Sequence, residues 1–379
     1  MGLVLGEFLM SLARILYLSI LFTVSHAPIA QGDGLNRNTS LKSDQTMNIE
    51  VNASPTKPYA GTTLVSCLNP LMRFAGHPEW SMARLQGILG HAFHFEMKAN
   101  GDFVMHDNLD WGSRALAVLS NLIEFRNFSA TKHDTEVDLP ALKLEACKAV
   151  RASLAHGIPA LVWQPMTPEM KSNGQYAFCW GLIVGYNEEE ETYSVRHPNL
   201  KNDYTIRYDA LGKTDGAQWF NIRTFENILD LDEKPTHLAA LNNAISFADG
   251  KRFKEEHEET QRGLLAYDLW RKAFESKDVS PEPSRYHAEI LKGRRQAASQ
   301  YMRELIPKFP EADKYLEEAA VHYDNEFEIL DSLHDLCSLA HEAGVFSAEE
   351  RSDARRFIGE ALKSEQMAIA SIKAAISAY

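Results

Sequence analysis

The rhythm of apolar and polar positions changes about two thirds of the way along the chain. From Tyr59 to about Leu241, short β-branched or apolar runs sit between helical stretches; beyond Phe247 the pattern is helical almost throughout. In the first part, Ala160-Leu-Val-Trp163 and Trp180-Gly-Leu-Ile-Val-Gly185 are unbroken apolar runs that predict strands, the second a buried central one. Asn187-Glu-Glu-Glu-Glu191 predicts a solvated turn, and Thr192-Tyr-Ser-Val-Arg196 the returning strand. Ser66 to Gly76 reads as a helix entered through Ser66 or Cys67 and closed by Gly76, with Pro70 inside the first turn, where a missing N–H costs little. Leu139 to His156 reads as a second helix, ended by Gly157-Ile-Pro159. Hairpin strands beside helices imply an α+β domain with an antiparallel sheet.

The second part predicts four helices over about 253–276, 284–306, 311–343 and 347–378, separated by Ser280-Pro-Glu-Pro283, Pro307-Lys-Phe-Pro310 and Gly344. Short connections between such helices suggest a bundle. Tyr286, Ile290, Leu291, Ala298, Tyr301 and Leu305 recur near one side at helical spacing, an apolar stripe fit to pack on its neighbours. The chain therefore divides into an α+β domain over 58–245 and an all-α four-helix domain over 250–379.

Ahead of both, the apolar run Ile15 to Val24 leads into Ser25-His-Ala27-Pro-Ile-Ala30-Gln-Gly32, which reads as a signal peptide over 1–32 with cleavage near Ala30-Gln-Gly32. The run is shorter than the roughly 20 apolar residues of a stable span, so export without a lasting membrane anchor is expected. Initiation at Met47 would instead give a cytoplasmic protein. Residues 33–57, rich in Asn, Ser, Thr, Asp and Lys, read as a flexible lead-in.

Composition narrows the function classes. The 379 residues are 45% hydrophobic and 24% charged, enough apolar material for a packed core. The net charge of −13 is spread over both parts, −6 on residues 251–379 and −7 on the rest, which argues against nucleic acid as a partner. Four scattered cysteines, Cys67, Cys147, Cys179 and Cys337, make neither a disulfide framework nor a C-x-x-C zinc site, and no cofactor motif stands out. Cys67 is the sharpest chemical signal. A thiol in the first turn of a helix feels the positive end of the macrodipole and shifts toward the reactive thiolate, whereas a lone buried cysteine packs as a small hydrophobe.

Tyr59-Ala-Gly61, Cys67-Leu-Asn-Pro-Leu-Met-Arg73-Phe-Ala-Gly76 and Leu85-Gln-Gly87-Ile-Leu-Gly90-His-Ala-Phe93-His-Phe95 together resemble the opening of the N-terminal domain of the butirosin-biosynthesis acyltransferase type, which is related to papain-like peptidases that cleave double-glycine leaders. The resemblance continues through Gly157 to Trp163, Trp180 to Asn187 and Tyr193 to Pro198. Gly263-Leu-Leu-Ala-Tyr267-Asp-Leu-Trp270 and Arg294-Arg295-Gln-Ala-Ala-Ser-Gln-Tyr301 resemble its companion helical domain. The resemblance implies a papain-like fold and a Cys acyl-enzyme, formed from a peptide or an acyl-carrier-type substrate. By position Cys67 matches the nucleophile, the base position falls at Cys179 or Trp180, and the orienting acid falls at His197. The glutamine that stabilises an oxyanion before the Cys has no match in Tyr59 to Ser66. His197 is then the one candidate left for a base, if strand geometry brings it to the thiol.

Around these, Trp163 and Gln164 at a strand end, His91, Trp180 and Cys179 are candidate substrate contacts. Gln164 can donate to a carbonyl or simply cap the strand. His91 and His94 flank Ala92-Phe93 and in an extended segment face different ways, so at most one lines a site. Glu318, His322 and Glu326 share a helix face that reads as solvated, and Asp331-Ser-Leu-His334 has metal-ligand spacing without a second motif, so no metal is assigned. Three functions follow: cysteine-dependent acyl transfer or amide hydrolysis, a catalytically silent module that binds a peptide or acyl chain, and an interaction protein of the cell envelope.

Overall fold

The computed structural model describes residues 46–48, 63–98, 118–131, 133–173, 179–212, 219–229, 233–250 and 260–379. The expected signal peptide and most of the lead-in lie outside the described residues. All described residues belong to one compact unit, Gln45–Tyr379.

The first part runs β1 (Thr46–Asn48), α1 (Thr63–Phe74), α2 (Met82–Leu89), a 3-10 turn (His91–Phe93), β2 (Glu96–Lys98) and β3 (Ile123–Thr131). It continues with α3 (Leu139–Ala155), β4 (Ala160–Trp163), α4 (Pro168–Ser172), β5 (Trp180–Asn187), β6 (Thr192–Arg196), β7 (Tyr204–Arg207), β8 (Trp219–Ile228) and α5 (Glu233–Ala248). The second part is β9 (Thr260–Arg262), α6 (Leu264–Ala273), α7 (Pro281–Leu305), α8 (Asp313–Ala343) and α9 (Ala348–Ala378).

Seven strands form an antiparallel sheet in the order β3-β8-β4-β5-β6-β7, with β1 also paired to β5. The architecture is thus α+β, as the hairpin pattern implies, and the strands over Ala160–Trp163 and Thr192–Arg196 fall where their apolar runs place them. The turn between β5 and β6 is set by Asn187, whose Oδ1 accepts from the N–H groups of Glu189 and Glu190. Part of the expected lead-in is ordered: Thr46 to Asn48 pair with Asn187 to Gly185.

Because successive strand residues face opposite sides, the sheet carries two apolar surfaces. On one, Val162, Ile183, Tyr193, Val195, Phe220 and Ile222 pack under Ala146, Val150 and Leu154 of α3. On the other, Leu161, Trp163, Trp180, Leu182 and Val184 pack under Leu64, Leu68 and Leu71 of α1. This second cluster does not stop at the sheet domain. It runs through α2 and α5 into Tyr301 of α7, Tyr323 of α8 and Ile369 and Ile372 of α9.

The contact between the two parts is close. A Cβ at Gly87 of α2 would lie 2.3 Å from the ring of Tyr301, and that ring is held by a 2.8 Å bond between its hydroxyl and His237 Nδ1. The long helices of the second part lie where the sequence predicts them, but the first is shorter than the predicted 253–276. Thr260–Arg262 is a strand paired with β2, and Gly263 at φ +53° turns the chain into α6. Any side chain at Gly263 would collide with the carbonyls of Phe247 and Ala248.

Two buried ionic groups sit at this junction. Arg295 Nε lies 3.0 Å from Glu326 and 2.9 Å from Glu365; its Nη1 donates to the Ala92 carbonyl at 2.7 Å and its Nη2 to the Tyr267 hydroxyl at 3.1 Å. Tyr267 in turn donates to Glu326. Nearby, Arg262 donates to Glu96, its cross-strand partner, at 2.7 Å, and Arg294 donates to the His94 carbonyl at 2.9 Å. Glu326, read from its spacing as part of a solvated face, is fully buried. Two carboxylates against one guanidinium would leave a net buried charge. Burial raises Glu365 well above the ordinary carboxyl range, so it keeps its proton and the group is neutral.

Arg295→Met is expected to cost roughly 3–5 kcal/mol of unfolding free energy in urea titrations, because it strands Glu326 without a counter-charge. Replacing Arg295, Glu326 and Glu365 together by apolar residues is expected to recover most of that loss.

Candidate functional site

The site expected from the sequence lies where α1 meets the head of the central strand. Thr63, the first residue of α1, places its hydroxyl oxygen 2.9 Å from the Trp180 backbone N–H, which donates to it. This bond fixes the helix start over β5, and no sequence signal had singled out Thr63. Cys67 is therefore not at the helix start. It lies in the second turn, inside the i→i−4 ladder, where the terminal field has fallen off. Its residue is 1% exposed and belongs to the apolar cluster with Leu64, Leu68, Trp163 and Trp180. Pro70 likewise sits in the interior of α1 rather than its first turn. The helix ends as expected: Gly76 at φ +90° closes it, with the His77 N–H bonded to the Met72 carbonyl at 2.8 Å.

The structure brings Trp163, Gln164, Cys179 and Trp180 together at one end of β4 and β5. Trp163 and Trp180 are cross-strand partners with ring centroids 5.0 Å apart, and the Gln164 N–H donates to the Cys179 carbonyl at 2.9 Å. Gln164 is buried and adopts φ +49°, a left-handed conformation costing about 1–2 kcal/mol for a residue with a Cβ. That conformation turns the chain off β4 into Pro165, whose carbonyl accepts from the Tyr204 hydroxyl. Strain of this kind persists only where its surroundings hold it, and it is found disproportionately at functional positions.

His197 follows β6 directly, one strand over from β5, and is buried. Its Nδ1 accepts from the Asn199 N–H at 3.1 Å, which places the ring proton of the neutral form on Nε2. Burial pulls its pKa down to about 4. The imidazole is therefore uncharged near neutrality and a weak base there, ill matched to taking a proton from a thiol.

The remaining candidates lie elsewhere. His91 opens the 3-10 turn that packs against α2, α5 and α7, and it is fully buried there. His94 bonds Arg294 through Nδ1 at 3.0 Å and approaches Glu96 at 3.6 Å, with burial holding its pKa near 4. His91 lies in a 3-10 turn rather than an extended segment, whereas His94, directly after the turn, has the extended backbone the sequence suggested. In α8, donor atoms of Asp331, His334 and Asp335 lie within 4.8 Å of one another. The Lys292 ammonium is already there, 3.1 Å from Asp331 and 3.3 Å from His334, and supplies the positive charge the cluster attracts.

Two further polar residues share the α1-facing side of the sheet. Arg223 on β8 pairs across to Leu161, and Asn221 bonds both Arg223 Nε at 3.3 Å and Ser129 at 3.4 Å. Their only sequence signal is the alternation in Phe220-Asn-Ile-Arg-Thr224, in which the polar positions look solvent-facing. No family model matches the chain, and no curated protein matches it. Among the described residues no helix is long and apolar enough to cross a membrane.

The His197 environment has a pH signature. Its folded pKa, about 4, is below the ordinary 6.5, so between those values the unfolded chain takes up a proton that the folded one refuses. Its contribution is complete above about 6.5 and is lost as pH falls toward 4. His197→Asn is expected to gain stability relative to the native chain on moving from about pH 7 to about pH 5 in urea titrations. A difference independent of pH would contradict the buried neutral ring.

Proposed function

We propose that this chain is a catalytically silent relative of the papain-like group related to the butirosin-biosynthesis acyltransferase type. In this reading residues 58–245 are the papain-like part, holding a peptide or acyl chain at the end of β4 and β5 beside Gln164. The long helices are its companion domain and form one wall of the same body. The apolar run Ile15 to Val24 supports export to the compartment where it acts.

One observation carries this reading. The residue that opens α1 over the central strand is a threonine whose oxygen is engaged by the Trp180 N–H, while the helix's thiol sits a turn deeper among apolar side chains. A helix-start thiolate, a titratable base near neutrality and an oxyanion donor are the three parts an acyl-enzyme needs. Cys67 departs from the first, His197 at about 4 from the second, and no glutamine precedes Cys67 between Tyr59 and Ser66 for the third. The strained, buried Gln164 beside Trp163 and Trp180 supports retention of the site for binding.

Iodoacetamide labelling of the folded protein near neutral pH tests it. Cys67 is expected to react no faster than Cys147, Cys179 or Cys337, and Cys67→Ala to cost only about 1 kcal/mol of stability, the scale of one buried methyl-sized group. Preferential labelling of Cys67 would return the acyl-enzyme mechanism to first place.

A further inference from the structure

The ionic group around Arg295 holds one more acid than its charge can match. Arg295, Glu326 and Glu365 are all fully buried, and Arg295 Nε lies 3.0 Å from Glu326 Oε1 and 2.9 Å from Glu365 Oε2. Tyr267 donates its hydroxyl to Glu326, while the Tyr323 hydroxyl, Glu326 Oε2 and Glu365 Oε2 have no hydrogen bond among the described residues. The charged and titratable side chains around Glu365 are Arg295 of α7, Glu326 and Tyr323 of α8 and Tyr267 of α6, so among the described residues no second cation reaches the group. Two ionised carboxylates would leave a full negative charge in a dry interior, at a cost that packing does not offset.

The two carboxyl groups are also within hydrogen-bonding reach of each other. Oxygens of like charge repel at that range and stay together only around a proton. Glu326 accepts from both Tyr267 and Arg295 through Oε1, which suits the ionised partner, so the proton belongs to Glu365. Burial accordingly raises Glu365 well above the ordinary carboxyl range. This proton sits where α6, α7, α8 and α9 converge, on the cluster that also holds the turn after α2 through the Ala92 carbonyl.

We propose that this proton is a latch between the sheet part and the long helices, closed while Glu326 and Glu365 share it and released when rising pH removes it. The proton passes from Glu365 to a base in solution, and the cluster goes from neutral to one net negative charge. The Ala92 turn and α9, which meet at the cluster, are then the segments that loosen. An unfolded glutamate loses its proton near 4.5 and the folded one much later, so over that interval the folding constant falls by up to about tenfold per pH unit. Below 6.5 the opposite slope of His94, His197 and His237, each lowered to about 4, masks this loss. Cys337, raised from 9.0 to about 12, adds a loss of its own only above about pH 9. The latch is therefore seen by itself between about pH 7 and 8.5, and it does not depend on the binding-module reading.

Urea titrations of the full chain across that window test it. The native folding constant is expected to fall with pH, by up to about tenfold per unit. Glu365→Gln keeps a donor for Glu326 with no proton to lose, and is expected to be flat over the window and more stable than the native chain at its upper end. Glu326→Gln is expected to be flat as well, because Glu365 then ionises as the single partner of Arg295. Changing both glutamates leaves Arg295 without a counter-charge and is expected to give the least stable chain at every pH. Hydrogen exchange at about pH 8.5 is expected to be slower in Glu365→Gln than in the native chain at the amides of residues 91–96 and of α9. A flat native profile, a native slope that survives in Glu365→Gln, a double variant as stable as the single ones, or equal exchange in the two chains would overturn the latch.

Discussion

The guanidinium of Arg295 holds the molecule's two halves in one body. It reaches the Ala92 carbonyl in the turn after α2, Glu326 on α8, Glu365 on α9 and the Tyr267 hydroxyl on α6, so four segments converge on one side chain carried by a fifth, α7. In a dry interior such a group is stable only if its charges cancel, and the proton kept by Glu365 makes them cancel. The neighbouring Arg294–His94 and Arg262–Glu96 contacts tie the following residues of the same segment to α7 and β9. The stretch 91–98 is thereby fixed at both ends of its run, and α2, immediately before it, is pressed on Tyr301 through Gly87.

That fixed frame explains the character of the strand-end site. The start of α1 is set by the Thr63–Trp180 bond, and its inner side is committed to apolar packing against β4 and β5. A thiol in the second turn of such a helix has nowhere to face but the core. The polar groups left over on the same side of the sheet belong to β8, where Asn221 and Arg223 stand opposite Ser129 and Asn127. Cys67, Trp163 and Trp180 are thus committed to the apolar interior on this side of the sheet.

Much of the architecture was legible because it is written in local pattern. Unbroken apolar runs marked β4 and β5, the acidic turn marked the β5–β6 hairpin, and proline or glycine breaks marked the ends of the long helices. The misreadings share a cause, which is that they depend on partners distant in sequence. Glu326 sits at a spacing typical of a solvated face, and only Arg295, on another helix, makes it internal. Pro70 suggested a helix start near Ser66, whereas the start is fixed by a bond from β5, more than a hundred residues away. Thr260 to Arg262 carry a helical composition but pair with Glu96 to Lys98. Arg223 alternates with apolar residues as an exposed strand residue does, and its burial follows from the strands on both sides of it.

The apolar cluster that passes from beneath α1 through α2 and α5 into the long helices has an evolutionary corollary. Neither half owns a complete interior, so a gene fragment encoding one without the other would expose a wide greasy wall and leave buried ions without partners. Recombination could move this pair only as a unit. Drift in one half must be matched by compensating change in the other, and the seam around Gly87 and Tyr301 is where such coupled substitutions would leave their mark.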